Sequence, residues 1–153
     1  MPTDNVTPFR RPPKRPVAPQ QRGGIGFKTH RGKVVLAHLL TIAAFVLNVV
    51  FRAPPWSLLG LAVGIGAVVL VYTNRGQAMP WANTHHEHAL RTLIIGYSIW
   101  AIGTALPLIH GSLAIVTIFI QLGVALWALV RALIALVLGV MRRAIPHPHG
   151  WLV

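Results

Sequence analysis

The side chains able to do more than pack are few in this chain, and most lie close together. His85, His86, Glu87 and His88 form its densest group of potential metal ligands, with His147 and His149 further along. On a helix His85 and His88 share a face, since three residues make nearly one turn. Zinc takes imidazole and carboxylate ligands, usually four in a closed structural site. The set His85, His88, His147 and His149 is therefore the candidate metal group. Its spacing matches no structural zinc pattern, and the plainer expectation is a headgroup-region role with no cofactor. His38 and His110 have the chemistry of axial haem ligands. Neither is matched by a histidine at equal depth in another apolar run, so contacts with neighbouring helices are expected for both.

Acids are scarcer still. Asp4 and Glu87 are the only two, and there is no cysteine. A paired-carboxylate mechanism needs two acids in one place, a Ser-His-Asp arrangement needs one beside the histidine, and thiol chemistry needs cysteine. The composition therefore predicts a protein that is not an enzyme.

Arg91 and Arg131 fall within or beside long apolar runs, where charge is costly and normally turns inward to a partner. Glu87 is the one acid near them, and it stands four residues before Arg91, the favourable order for a helical ion pair. A structural cluster of Glu87, Arg91 and Arg131 is expected, with Glu87 holding Arg131. A proton or anion path is the sharper alternative, but no chain of ionisable groups continues across the apolar runs.

The elements that must position these groups are membrane helices. Of 153 residues, 54% are hydrophobic and only 10% charged, too little charge to cover a soluble domain. The fold class is all-α: an integral membrane protein of four transmembrane helices in two helical hairpins, with a short surface helix before the third span. The spans read 34–51, 56–72, 90–109 and 112–140. Arg52-Ala53-Pro54-Pro55 should stop the first, Trp56 and Tyr72 should anchor the second at its interfaces, and Pro107 and Gly111 should close the third. The last apolar run is too long, at about 45 Å against a hydrocarbon core of about 30 Å. It must tilt, break, or project its Ala132–Val140 end. Gly60 with Gly64, and Ala128 with Ala132, are small-residue pairs that permit close helix contact. Thr29-His30 and Thr84-His85 begin the two halves alike, a faint sign of duplication.

Around the 33–143 membrane domain, residues 1–32 read as a disordered, basic, proline-rich tail and 144–153 as a second tail. The net charge is +12, and eight of the fourteen Lys and Arg precede Val34. In a soluble protein this excess would suggest nucleic acid. Here it serves topology: the positive-inside bias places both termini in the cytoplasm, and the basic tail suits anionic lipid headgroups. No nucleic-acid partner is expected.

Trp81, Thr84-His85, Arg91-Thr92, Trp127, Arg131 and the closing Ile145-Pro146-His147-Pro148-His149-Gly150-Trp151-Leu152 carry a resemblance. Over about half its length the chain resembles a family of small, uncharacterised inner-membrane proteins of proteobacteria, within a bacterial group distantly similar to the chloroplast import component Tic-twenty. Where that family has an aromatic after the histidine and Gln-Ile before the arginine, this chain has His86 and Ala89-Leu90. The resemblance implies a four-helix fold in the bacterial inner membrane and no established activity. The reading as a whole is a non-catalytic accessory, structural or assembly subunit beside other membrane proteins. A transport or translocation component, or a cofactor- or metal-binding membrane protein, is the alternative.

Overall fold

A computed structural model describes residues 26–53 and 55–151. The reading of residues 1–25 as a disordered, lipid-binding tail lies outside them. Thr29 caps the first helix, its Oγ1 accepting from the Gly32 amide at 3.0 Å, so α1 (His30–Val50) begins inside the stretch expected to be tail. α2 (Ser57–Asn74) follows a short connection. Gly76, at φ 76°, turns the chain out of α2, and the Asn83 side chain accepts from its amide at 2.7 Å. Pro80 then opens α3 (Pro80–Ile109), occupying a first-turn position whose missing N–H costs nothing. A single 3₁₀ turn, Gly111–Leu113, leads to α4 (Ala114–Val140). No strand occurs among the described residues.

All four helices are long and apolar enough to cross a membrane. Leu58, Ile65, Leu108, Phe119, Leu126 and Leu133 point outward from them, an apolar exterior that water would not tolerate and lipid requires. The chain is a multi-pass membrane protein.

α3 departs from expectation at both ends. In place of a separate surface helix and a span from residue 90, one helix runs unbroken from Pro80 for about 45 Å. It also passes through Pro107. Proline has no N–H for the carbonyl one turn back, which here belongs to Gly103. The Thr117 hydroxyl on α4 supplies the missing donor, reaching the Gly103 oxygen at 2.7 Å. α4 likewise runs without a break for about 40 Å. Its Ala128, Arg131, Ala132, Ala135 and Gly139 form one buried face, and the rest of its Ala132–Val140 end stays outward.

α1 lies against α2, α4 and α3, whereas α2 and α4 stand apart, so α1 and α3 form the short diagonal of the bundle. The two run parallel: His38 meets His85 and, further along, Asn48 meets Tyr97. Phe45, Ala67, Leu93, Ala125 and Ala128 fill the middle. Among the described residues, close approach depends on glycine at four places, because no Cβ fits. At Gly60 it would strike the Asn48 side chain, at Gly64 the Tyr97 hydroxyl, at Gly96 the Phe45 ring, and at Gly139 it would lie 2.7 Å from Val34 Cγ1. The small residues at 60, 64, 128 and 132 thus all serve packing within the chain.

Candidate functional site

The starts of α1 and α3 and the ends of α2 and α4 meet at one end of the bundle, which also carries most of the described basic residues. α1 brings His38 there in its third turn. α3 brings His85, His88 and Thr92, spaced to share one face, and α4 brings Arg131 on the stripe of alanines that lets it approach. A fourth wall comes from the segment after α4. Arg142 takes the left-handed conformation (φ 56°) that ends the helix, and the Arg143 amide reaches back to the Leu138 carbonyl at 2.9 Å. A non-glycine residue pays about 1–2 kcal/mol for that conformation, and the reversal folds residues 143–151 over the bundle end. Ile145 becomes buried there, its amide donating to Thr84 Oγ1 at 3.1 Å. Of residues 144–153, read above as a second tail, Ile145, Gly150 and Trp151 bond to the bundle.

Arg131 is the centre of this layer, with 1% of its surface exposed. Its Nε donates to Thr92 Oγ1 (3.1 Å), one Nη to the Gly150 carbonyl (2.6 Å) and the other to His88 Nδ1 (3.0 Å). The planar fork suits three acceptors in different directions better than an ammonium would. Thr92 passes its own proton to the His88 carbonyl at 2.8 Å. The guanidinium carbon lies 5.1 Å from the centre of the Trp127 ring, and Trp127 Nε1 donates to the Trp151 carbonyl at 2.9 Å. Among the described residues, oriented dipoles and an aromatic face meet the guanidinium.

A second branch fixes the tautomers. His85 Nε2 lies 2.8 Å from the Arg143 carbonyl, which can only accept, so that nitrogen bears the proton. In the neutral ring Nδ1 is then an acceptor and takes the Nε2 hydrogen of His38 at 3.0 Å. His38 is left with a bare Nδ1. His88, accepting at Nδ1, is protonated at Nε2. Both of these nitrogens, and both of His86, are buried without a hydrogen-bond partner among the described residues, which makes the layer polar and incompletely satisfied there.

The expected Glu87–Arg131 contact is corrected by this geometry. Glu87 stands on a different face of α3, and its carboxylate pairs with Arg75 at 2.8 Å. Arg91, the third member of the expected cluster, bonds His149 Nδ1 at the surface. The candidate metal ligands do not gather either. His85 and His88 bond inward to different partners, and among the described residues no group of three or more His, Cys, Asp or Glu is placed to hold a metal ion. His110 bonds Ser112 at the opposite end. Sequence reasoning named Thr92 and Gly150 only as residues of the resemblance, not as partners of Arg131, and gave His38 no place in the site. Besides that resemblance, the shared face of His85, His88 and Thr92 was the available signal.

The residues that carried the sequence resemblance converge here in space. Thr84 meets Ile145, His85 meets Arg143, Arg91 meets His149, Trp127 meets Trp151, and Arg131 joins Thr92 to Gly150. Compared with protein-family models, curated proteins and solved structures, the chain finds no match.

Proposed function

We propose that this is a non-catalytic protein of a bacterial inner membrane, an accessory or assembly subunit that crosses the bilayer as two helical hairpins with both termini cytoplasmic. One observation carries the reading. Arg131, His85 and His88, the groups best suited to chemistry, are engaged in holding α1, α3, α4 and the segment 143–151 together, while α4 turns Leu126, Leu133 and Val137 outward. Such a molecule offers partners a fixed apolar face. The basic bundle end supports the cytoplasmic assignment through the positive-inside bias. The likeness of the converging residues to proteobacterial inner-membrane proteins supports the compartment.

The competing reading, a transport component, draws on a polar cleft at the far end, lined by Asn48, Tyr97 and Gln121. Between that cleft and the histidines stands the apolar layer of Phe45, Ala67, Leu93, Ala125 and Ala128, across which no ionisable group among the described residues continues the path.

The test is photocrosslinking in native membranes from positions 126 and 133, with 58 on α2 as comparison. The expected result is one protein species captured from both α4 positions and not from α2. Capture of lipid alone from all three positions would remove the accessory reading.

A further inference from the structure

The far end of the bundle holds a polar region separate from the histidine layer. A cavity of about 350 Å³ opens there, lined by Asn48, Arg52, Tyr97, Trp100, Thr104 and Gln121 among others. Continuous with it, and sharing Leu61, Tyr97 and Ala101, an apolar groove of about 530 Å³ runs between α2 and α3 past Ile65, Val69 and Ile94. Each compartment is within the range of about 300–1,000 Å³ usual for small-molecule sites. One is polar and at the interface, the other apolar and along the helices.

The polar groups in the first compartment have donors to spare. Gln121 gives one amide hydrogen to Thr104 Oγ1 at 3.1 Å, and Asn48 gives one to the Tyr97 hydroxyl at 3.0 Å, which itself donates to the Gly60 carbonyl. Each amide keeps a second hydrogen. Among the described residues Arg52 bonds only through Nε, at 3.4 Å, to the Val49 carbonyl, and both its Nη groups remain. No carboxylate lines this compartment, and Arg52 is the only Lys, Arg, Asp or Glu at this end among the described residues. The complement is a ligand rich in acceptors, negatively charged, with an apolar tail.

We infer that this composite cavity binds one anionic phospholipid from the far-side leaflet. The phosphate lies on the Arg52 guanidinium, whose fork matches phosphate oxygens. The ester oxygens meet the free amide hydrogens of Asn48 and Gln121, Trp100 sits at the headgroup level favoured by indole, and one acyl chain occupies the α2–α3 groove. The inference requires the membrane reading and is independent of the accessory role.

The test uses the full chain, delipidated in a non-ionic detergent, with dioleoyl phosphatidylglycerol, dioleoyl phosphatidylcholine or inorganic phosphate added. Native mass spectrometry counts bound lipid, and thermal unfolding reports the fold. One phosphatidylglycerol per chain is expected, retained about five-fold better than phosphatidylcholine, the effect of one arginine on an anionic headgroup. Arg52→Gln should abolish the preference at unchanged Tm. Ile65→Trp, an outward position in the groove, should lower retention of both lipids. Arg10→Gln with Arg11→Gln, which weakens the basic segment, should keep the bound lipid. Equal retention by wild type and Arg52→Gln overturns the proposal, as does loss of the lipid in the Arg10/Arg11 variant. A thermal shift from inorganic phosphate equal to that from phosphatidylglycerol also overturns it, and marks a free-anion site.

Discussion

Replacing Arg131 by methionine, which keeps most of the side chain's length and removes its charge, isolates what the buried guanidinium contributes. Among the described residues three acceptors lose their donor. Thr92 Oγ1 keeps its own bond to the His88 carbonyl, so two groups, His88 Nδ1 and the Gly150 carbonyl, are left wanting. Each buried unsatisfied group costs about 1–3 kcal/mol. Relief of the guanidinium's desolvation offsets part of this, so a net loss of about 2–3 kcal/mol is expected. The diagnostic quantity is the coupling. His88→Leu should couple to Arg131→Met by about 1–2 kcal/mol, because one bond joins the two residues, whereas Glu87→Gln should be additive with it to within about 0.5 kcal/mol. Unfolding in mixed micelles, followed by tryptophan fluorescence, measures all the variants. Amide exchange supplies a second readout: the Ile145 and Gly150 amides should exchange faster in Arg131→Met and not in Glu87→Gln. A Glu87–Arg131 coupling as large as that of His88 would refute the His88 pairing and reinstate the Glu87 ion pair.

Two further outcomes are expected. Thr117→Val should lose about 1–3 kcal/mol, since the Gly103 carbonyl then has no donor, and Pro107→Ala in that background should recover much of it by restoring a backbone N–H; no recovery in the same unfolding assay would mean that the hydroxyl contributes otherwise. Topology reporters at Thr3 and Val153 should give the same signal and one at Pro54 the opposite, while opposite signals at the two termini would exclude four crossings.

Four apolar helices were legible because hydropathy is a sum over many residues and survives local error. Details set by single contacts were not. Pro107 reads as a stop, and only a hydroxyl on another helix lets α3 continue past it. The polar stretch around His85 reads as a separate surface element because polarity suggests water. In the structure His85, His86 and His88 are polar and buried, facing α1, α4 and the folded-back segment. That Arg131 needed an interior partner followed from its setting. Which partner did not, because the scarcity of acids points to Glu87 while a carbonyl at Gly150 and a ring nitrogen of His88 leave no mark in a sequence. The segment after α4 looked free for the same reason. Ile145 is one apolar residue among prolines and histidines, and its burial depends on the left-handed turn at Arg142.

The position of Gly150 also sets an order of events. It follows Arg131 by nineteen residues and lies beyond the end of α4, so the contact closes only once the chain has reversed at Arg142. Before it closes, Thr92 and His88 on α3 can already accept from the guanidinium. Assembly therefore closes from the membrane outward, with the helices first and the segment over the bundle end last. Opening reverses the sequence. The state nearest the native one is a bundle with all its helices inserted and its final segment detached, Ile145 exposed, and a charged layer newly accessible to water. Membrane quality control would meet that species first, and destabilising changes anywhere in the polar layer would act on the protein's lifetime by raising its population.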